Sequence, residues 1–313
     1  MKLSIVATMY RSEAFLEEFC TRMAQAAAKA MPDYELILVN DGSPDNCLQK
    51  ALELAAHDPR IAVVDLSRNF GHHAAIVAGF EQTAGDLIFL MDMDLQEQPE
   101  WLAQFLDTLR TGNNDVVFGV QKQRTGSALD NLLGRGFWRF LNASSAVHIP
   151  ENQMTCRLMT RRYLDSLLEV RDRVIYLGAL FPWAGYRQAE LPLVKKPRPT
   201  GSKSSYNITG RIRHAVDSIT SFTSTPLVFL FLAGVAIWIG SIIYGGYLVL
   251  IKLFFPESVL TGFTSLMFSI WFLGGLIILG IGMIGQYVAN VFREVKDRPR
   301  YIVRSVTRGT NHE

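Results

Sequence analysis

The chain contains 313 residues, of which 49% are hydrophobic and 19% are charged, and its formal net charge is +2. Residues 218–251 and 258–292 contain no Asp, Glu, Lys or Arg, so the charged residues are concentrated in the remainder at the density of an ordinary globular domain. This composition excludes a disordered chain, a collagen, a small disulfide-rich protein and a purely soluble enzyme, and the small net charge gives no indication of a nucleic-acid partner.

Short apolar runs alternate with amphipathic stretches in the first 120 residues. We predict strands at residues 3–7, 35–39, 61–65, 86–91 and 115–118, and helices at residues 12–30, 45–57, 72–83 and 99–110. This alternation predicts an α/β domain whose mostly parallel sheet is covered on both faces. Ligands of such sheets bind at the carboxyl ends of the strands, so the loops that follow the strands are the first candidates for a functional site.

Three of these loops carry polar groups that suit a nucleotide or a metal ion: Asn40–Ser43, Ser67–Gly71 and Asp92–Gln96. Carboxylate and amide oxygens are ligands of hard divalent cations, so the Asp-x-Asp of the third loop, with Gln96, indicates a metal site. A lone Asp-x-Asp is equally compatible with a solvated turn, but the two neighbouring polar loops favour the metal. The sequence lacks the glycine-rich fingerprints of dinucleotide sites and P-loops, and its cysteines and histidines do not have a zinc-binding spacing.

The last third of the chain is predicted to meet a membrane. Apolar residues at helical spacing between Ile208 and Phe222 predict an amphipathic helix in the membrane interface. The runs at 226–251 and about 266–288 each exceed the roughly 20 residues that span a bilayer, which predicts two transmembrane helices. A buried soluble hairpin is the alternative, and it is disfavoured because soluble helices are rarely apolar on all sides over six turns.

The distribution of basic residues predicts the topology. The segment from Arg293 onward is rich in Arg and Lys, whereas the loop between the two runs carries one Lys and one Glu, so both termini are predicted to be cytoplasmic. We therefore divide the chain into a cytoplasmic catalytic domain (1–206), a juxtamembrane amphipathic helix (207–224), a two-helix transmembrane hairpin (225–292) and a basic cytoplasmic tail (293–313). The predicted location is the cytoplasmic (inner) membrane, with a multi-pass topology.

Taken in order, the motifs of the chain resemble those of family 2 glycosyltransferases of the polyprenyl-phosphate type. They are Asn40-Asp41-Gly42-Ser43, Arg68-Asn69-x-Gly71, Asp92-x-Asp94-Leu95-Gln96, Arg157-Leu158-Met159, Ser221-Phe222, Gly285-Gln286-Tyr287 and Lys296-x-Arg298-Pro299-x-Tyr301. The resemblance implies an α/β GT-A (Rossmann-like) catalytic domain and the inverting transfer of one sugar from a nucleotide donor to a lipid phosphate in the membrane. A homo-oligomer is also expected.

The resemblance also implies roles for individual residues. The donor-binding residues would be Thr8, Tyr10, Glu13, Asp41, Arg68, Asn69, Asp92 and Lys203, with Asp41 at the base and Asp92 near the ribose and the metal. The ligands of Mg²⁺ or Mn²⁺ would be Asp92, Asp94 and Gln96. The acceptor phosphate would be positioned by Arg124, Arg135 and Arg198, and the catalytic set would be Asp92, Asp94, Arg124 and Arg157. The basic segment 195–203 resembles a family loop that closes over the donor, and it is equally compatible with a juxtamembrane linker.

Three positions depart from the family pattern. The opening loop reads Thr8-Met9-Tyr10-Arg11-Ser12-Glu13 in place of Pro-x-Tyr-Asn-Glu, Gln121 replaces an arginine, and Thr155 replaces an acidic residue. A catalytic base at residue 155 is thereby excluded. One interpretation is that the chemistry does not need this acid, because an acceptor phosphate is already anionic near neutral pH and needs a general base less than a sugar hydroxyl does. The alternative is that the enzyme uses a different donor or acceptor geometry.

The sequence thus predicts a membrane-anchored, metal-dependent hexosyltransferase of cell-envelope polysaccharide synthesis. A UDP-sugar is favoured as the donor over a GDP-sugar, with undecaprenyl phosphate as the acceptor. One alternative is a sugar-nucleotide sensor or scaffold with impaired catalysis, suggested by Gln121 and Thr155. A processive polysaccharide synthase is disfavoured, because the chain lacks the Gln-x-x-Arg-Trp motif and the additional spans of such enzymes.

Overall fold

The structure, a computed structural model, describes residues 1–122, 142, 149–150, 152–170, 172, 176–195 and 263–309, with isolated positions between 227 and 243. The chain divides into two compact units. The first comprises Met1–Asn142, Val147–Asn207 and Asp297–Glu313, and the second comprises Ala143–Ala146 and Ile208–Lys296.

The described part of the first unit alternates strands and helices. Its strands are β1 (Leu3–Met9), β2 (Tyr34–Asn40), β3 (Ile61–Leu66), β4 (Leu87–Leu90), β5 (Val116–Gln121), β6 (Gln153–Thr160), β7 (Gln188–Leu193) and β8 (Val303–Arg308). Its helices are α1 (Leu16–Ala30), α2 (Cys47–His57), α3 (His72–Phe80), α4 (Leu102–Thr111, after a 3-10 turn at Pro99–Trp101), α5 (Arg161–Glu169) and α6 (Leu177–Trp183). Every strand and helix predicted for the first 120 residues is present, with small differences at the ends.

The eight strands form one mixed sheet in the order β7-β5-β6-β4-β1-β2-β3-β8. The pairs β1–β2, β1–β4, β2–β3 and β5–β7 are parallel, whereas β6 pairs antiparallel with both β4 and β5, and β8 pairs antiparallel with β3. Four of the seven pairs are thus parallel, and the antiparallel pairs occur where β6 and β8 join the sheet. The fold is a GT-A-like α/β fold with a mixed sheet.

Helices pack on both faces of the sheet, because successive residues of a strand point to opposite sides. Leu3 and Ile5 of β1 belong to the main core cluster, together with Phe19 of α1 and Phe105 of α4. Val6 faces the other way and meets α3, where a Cβ on Gly79 would lie 2.5 Å from its Cγ1. The central strands are thereby held between two helical layers, and the ends of the strands remain open to ligands.

The sequence analysis did not foresee the strand β8. It had assigned residues 293–313 to a basic tail, but Val303–Arg308 pair with β3 at an edge of the catalytic sheet. Arg304 of β8 donates to the carboxylate of Asp65 (3.1 Å) and to the backbone oxygen of Ser67 (2.8 Å) at the end of β3. The last described residues are therefore part of the sheet that carries the candidate site.

The second unit contains the long helix α7 (Phe263–Val295). Among the described residues, α7 is the one helix that is long and apolar enough to cross a membrane, through its segment Leu273–Phe292. This segment has a mean hydropathy of 1.7, and none of its most apolar stretch is buried. Two transmembrane helices are therefore not confirmed. The predicted first span (226–251) lies largely outside the described residues, although described positions such as Leu230 and Ile239 are helical. The predicted amphipathic helix 207–224 lies outside them entirely.

Candidate active site

The candidate site lies where β1, β2, β3 and β4 end. These strands are neighbours and run in the same direction, so their carboxyl ends meet at one edge of the sheet. The loops after β2, β3 and β4 are the three polar loops that the sequence analysis singled out. The loops contact one another and build the site from several parts of the chain.

Asp41, after β2, holds the loop that follows β3. Its carboxylate accepts hydrogen bonds from the backbone amides of Phe70 (2.7 Å) and Gly71 (3.0 Å), and only 3% of the residue is exposed. Burial raises the pKa of this carboxyl above its ordinary value, and the two amide hydrogen bonds offset part of that effect. A side chain at Gly42 is not possible, because its Cβ would lie 2.5 Å from the backbone nitrogen of Asn69. Asp41 therefore has a structural role in addition to the predicted contact with the base.

Asp92, after β4, is linked to β1 through a histidine. Nε2 of His72 lies 3.5 Å from Oδ1 of Asp92, and Nδ1 of His72 is hydrogen-bonded to the hydroxyl of Thr8 at 3.2 Å. With the ring proton on Nε2, Nδ1 accepts the hydrogen bond from Thr8 and Nε2–H points to Asp92; in either tautomer the two contacts orient the ring. Thr8 and Asp92, predicted as donor-binding residues, are thus brought together by His72.

Residues Asp94 to Gln96, which follow in the same loop, form a tight turn. The backbone amide of Gln96 donates to Oδ1 of Asp94 (3.1 Å), and Leu95 between them has a φ of 56°. Non-glycine residues seldom adopt this left-handed conformation, and such strain is concentrated at functional sites. The turn holds Asp92, Asp94 and Gln96 within one short loop.

Glu97 is a buried carboxyl directly behind this loop. It is fully buried, its Oε2 accepts the backbone amide of Asp92 (3.4 Å), and its Oε1 lies 3.8 Å from Nζ of Lys195. Among the described residues, Oε1 has no hydrogen-bond partner. Burial, reinforced by the nearby charge of Asp92, raises the pKa of Glu97 to about 8. Three carboxyl groups, those of Asp92, Asp94 and Glu97, thus lie within six consecutive residues.

Arg157, on β6, is buried beside this acidic loop and is 3% exposed. Its Nε and Nη2 donate to the backbone oxygens of Thr155 (3.2 Å) and Met154 (3.1 Å), and its guanidinium carbon lies 3.4 Å from the centre of the Phe181 ring. Burial lowers the pKa of Arg157 to about 10, which leaves the side chain positively charged at neutral pH.

A cavity of about 200 Å³ opens between the start of α3, β6 and the start of α6. Its lining includes His72 and Arg157, and also Thr155, the position at which the family pattern has an acid. The cavity therefore lies beside both the Asp92 loop and the buried arginine.

The other predicted site residues fall into two groups. Tyr10, Arg68 and Asn69 lie on the exposed edges of the loops, whereas Glu13 is engaged with the start of α2, where it accepts from the amide of Asn46 and lies 3.5 Å from Nζ of Lys50. The geometry does not bring Glu13 to the acidic loop. Arg124, Arg135, Arg198 and Lys203 lie outside the described residues, and so does the basic segment beyond Lys195.

Two residues of the site were missed as functional candidates. His72 was predicted to be the first residue of a helix, with a catalytic role as the less favoured interpretation, and Glu97 was not considered, although it directly follows Gln96 in the sequence. The signal available for Glu97 was a third acid within six residues of the Asp-x-Asp pair. No sequence signal linked His72 to Asp92, because their contact depends on how α3 packs beside the ends of β1 and β4.

The chemistry of the acidic loop fits a divalent cation that is shared with a substrate. Among the described residues, no three His, Cys, Asp or Glu side chains form a metal cluster. Mg²⁺ is usually bound through one or two carboxylates together with phosphate oxygens of the substrate, so a closed protein cage is not required. The carboxylates of Asp92 and Asp94 and the side-chain carbonyl of Gln96 would offer hard oxygen ligands of this kind.

The mixed sheet, with an acidic loop at the end of a central strand, defines a GT-A-like α/β protein of the glycosyltransferase class. The profile named "Glycosyl transferase family 2" matches residues 4–168. The chain belongs to this family, and the resemblance found in the sequence is confirmed.

Relatives match nearly the whole chain. A protein of Mycobacterium tuberculosis (strain CDC 1551 / Oshkosh) with a provisional glycosyltransferase description is 41% identical over 98% of this chain and 88% of its own length. The SfII prophage-derived bactoprenol glucosyl transferase of Shigella flexneri is 29% identical over 99% of each chain. Among solved structures, the mannosyltransferase PcManGT from Pyrobaculum calidifontis, in complex with GDP-Man and Mn²⁺, is 14% identical, with a TM-score of 0.48 and coverage of 95% of this chain and 88% of that one.

Proposed function

We propose that this protein transfers a single sugar from a nucleotide donor to a polyprenyl phosphate, with inversion, at the cytoplasmic face of the membrane. The observation that carries the proposal is the strand-end site, in which the acidic loop Asp92–Glu97 adjoins a cavity and the buried Arg157. Full-length similarity to bactoprenol glucosyl transferases supports a lipid-phosphate acceptor. We favour a hexose from a UDP-sugar as the transferred group and undecaprenyl phosphate as the acceptor.

The acidic loop would hold Mg²⁺ or Mn²⁺ against the donor diphosphate. When bound, the cation neutralises the negative charge that develops on the leaving nucleoside diphosphate. The protein contributes the orientation of the ligands: the Leu95 turn fixes Asp94 relative to Gln96, and His72 holds Asp92. These contacts keep the loop in one arrangement before the donor arrives.

The acceptor side of the reaction needs positive charge more than it needs a base. A phosphate monoester is anionic near neutral pH and attacks without first losing a proton. Thr155 in place of an acid is compatible with this chemistry, and Arg157 supplies a cation near the reaction centre. We propose further contacts to the acceptor phosphate from Arg124, Arg135 and Arg198.

The membrane arrangement is also part of the proposal. The exposed apolar surface of α7 supports its insertion into lipid. We propose that the segment 226–251 forms a second span, that residues 207–224 lie in the interface, and that the catalytic unit and both termini face the cytoplasm. Both substrates, one dissolved in water and one in the bilayer, then reach the same site.

The proposal is tested by product formation. Purified full-length protein is incubated with radiolabelled UDP-glucose, undecaprenyl phosphate and Mn²⁺, and the chloroform-soluble radioactivity is measured against a reaction without the lipid. We expect a lipid-linked sugar. The absence of product with all common UDP- and GDP-sugars would refute the proposal, and nucleotide binding without product would select the sensor or scaffold.

Removal of one metal ligand should have the largest effect on turnover. We expect Asp94→Ala to lower kcat by roughly three orders of magnitude, because the charge stabilisation supplied by a catalytic cation amounts to several kcal/mol. The matched control is Asp107→Ala, which removes an exposed carboxylate on α4. Equal activity of the two variants would contradict the assignment of Asp94.

His72 is expected to act as a positioning residue for Asp92. His72→Ala should weaken Mn²⁺ binding in the presence of UDP by about 10-fold, in the range found when partners of metal ligands are removed. His72→Asn should recover part of the affinity if a side-chain donor still reaches Asp92. Calorimetric titration with Mn²⁺ measures this effect without turnover, and an unchanged affinity in His72→Ala would exclude the role.

A further inference from the structure

The edge strand β8 contains an irregularity where it passes the end of β3. The two strands pair antiparallel, with Asp65 opposite Ser305 and the next residue, Leu66, opposite Val303. Arg304 is therefore the extra residue of a β-bulge on β8. Bulges redirect a side chain and are over-represented beside functional sites. This bulge lies directly before the polar loop that follows β3.

The side chain of Arg304 binds the beginning of that loop. Its Nη1 donates to Oδ2 of Asp65 (3.1 Å), and its Nη2 donates to the backbone oxygen of Ser67 (2.8 Å). The backbone amide of Ser67 donates in turn to the backbone oxygen of Ile302 (2.9 Å). Both backbone polar groups of the first loop residue are thus held by the segment that forms β8.

The contact with Asp65 extends to the loop after β2. The carboxylate of Asp65 is buried, and its Oδ1 accepts a hydrogen bond from Nδ2 of Asn40 (2.7 Å). Asn40 is also buried, and its Oδ1 accepts the backbone amide of Ser43 (3.1 Å). The side-chain amide of Asn40 cannot rotate without the loss of both hydrogen bonds. Two of the polar loops are therefore connected to Arg304 through two buried side chains.

The far end of the loop after β3 is held separately. The carboxylate of Asp41 accepts the backbone amides of Phe70 and Gly71, and Nδ2 of Asn69 donates to the backbone oxygen of Asp41 (3.0 Å). The loop is thus fixed at its end from β2 and at its beginning from β8, with the exposed Arg68 between these two points. A shift of the beginning of the loop would move Arg68 while the contacts of Asp41 remain.

We propose that Arg304 is a positioning residue for the donor nucleotide, which it orients indirectly by fixing the loop Ser67–Gly71; this inference rests on the proposed glycosyl transfer. Arg304 reduces the number of conformations that the loop adopts before the donor arrives, and such preorganisation strengthens binding. None of the hydrogen bonds described above involves the acidic loop after β4. Arg304 should therefore affect donor binding more than the transfer step.

The experiment compares Arg304 with a second arginine of the same strand. Full-length wild type, Arg304→Ala, Arg304→Lys and the control Arg308→Ala are titrated with UDP and, separately, with GDP in the presence of Mn²⁺. KM and kcat are then measured for the nucleotide sugar that gives lipid-linked product with undecaprenyl phosphate. Arg308 is a suitable control because it is exposed and lies opposite Ala62, near the other end of β3.

The expected effect is on affinity. Arg304→Ala should raise the Kd of the bound nucleotide and the KM of its sugar by about fivefold, the effect of one or two hydrogen bonds at a partly exposed site. Its kcat should stay within about twofold of wild type. Arg304→Lys should show a smaller rise, because an ammonium group keeps the charge beside Asp65 but does not reproduce the fork of two guanidinium nitrogens. Arg308→Ala should match the wild type in Kd, KM and kcat.

Unchanged Kd and KM in Arg304→Ala would overturn the positioning role. A fall in kcat with both constants unchanged would also overturn it, because that result is expected if Arg304 only stabilises the fold. If Arg304→Ala does not accumulate as folded protein, Arg304→Lys provides the test, and a Kd and KM equal to those of the wild type overturn the role. Wild-type protein that forms lipid-linked sugar while its variants show these results refutes the positioning role alone. Wild-type protein that binds neither nucleotide and forms no product refutes the proposed function as well.

Discussion

Two apolar helices of this protein have opposite surroundings. In α3, every residue from Ala74 to Phe80 is buried between the sheet and the rest of the first unit. In α7, the large side chains of Ile277, Ile278 and Ile281 are 61%, 72% and 65% exposed. The first helix is only nine residues long and is covered by protein, whereas the second has 33 residues and presents apolar surface that water does not favour. The length of an apolar helix and the partners available to it therefore decide whether it belongs to a core or to a membrane.

The largest difference between the two helices is expected when a charged side chain is introduced into each of them. We expect Ala78→Asp in α3 to prevent folding of the catalytic unit, because an unpaired carboxylate in a fully buried position costs several kcal/mol. Ile278→Asp in α7 should leave the catalytic unit folded and instead impair membrane insertion, at a cost of about 2.5–3.5 kcal/mol. Soluble and membrane fractions, with limited proteolysis of each, measure both outcomes. If the two variants show the same fractionation and the same proteolysis pattern, the two helices do not differ in their surroundings as described.

An added methyl group tests the packing of the same two helices. A Cβ on Gly79 would lie 2.5 Å from Val6 and 2.9 Å from Val39, so Gly79→Ala should lower the free energy of unfolding by about 1–3 kcal/mol through overpacking. Gly285 of α7 has nothing within 4 Å of such a Cβ among the described residues, and Gly285→Ala should be neutral or slightly stabilising. Thermal unfolding followed by circular dichroism compares the two. A larger loss in Gly285→Ala would show that α7 packs closely on a partner.

Acid pH should affect the stability of the first unit more than the helicity of α7. Glu35 is buried; burial alone would raise its pKa, but hydrogen bonds from Lys2, Ser4 and the Ala84 amide outweigh burial and lower the pKa. A lowered folded-state pKa stabilises the fold above the unfolded value of about 4.5, and this contribution is lost as the pH falls through the folded value. Glu35→Gln should lower the free energy of unfolding by about 1–2 kcal/mol at pH 7. The free energy of unfolding of this variant, measured by urea unfolding, should also fall less than that of the wild type between pH 7 and pH 4. The helix α7 contains a single carboxyl side chain, Glu294 in its last turn, so its helicity should change little over this range.

The smallest effect is expected at the edge strand β8. Arg304→Ala removes two hydrogen bonds to the end of β3. Because Asp65 keeps the hydrogen bond from Asn40 (2.7 Å), we expect the free energy of unfolding to fall by only about 1 kcal/mol. Arg308→Ala on the same strand serves as the control. Urea unfolding of both variants measures the difference, and equal midpoints would show that the ion pair contributes nothing.

The central part of the fold was predictable, because β1 to β4 are apolar runs bounded by capping and turn residues. The strands β6 and β8 were not predictable. Their sequences, QMTCRLMT and VRSVTR, have little apolar alternation, and each is a strand because of the distant strand with which it pairs. The acidic loop was found from its motif, since the residues that carry it are adjacent in the sequence. The contacts of Asp92 with His72 and of Glu97 with Lys195 depend on tertiary structure, and local sequence does not encode them.

The pairing of β8 with β3 has a consequence for the order in which the protein is made. Domains fold as units during synthesis, with the amino-terminal part emerging first. Here α7 leaves the ribosome before β8 does, so the sheet gains its final edge strand only after the apolar helix has been synthesised. The edge of β3 stays unpaired until then, so the sheet is completed only after the whole of α7 has been synthesised.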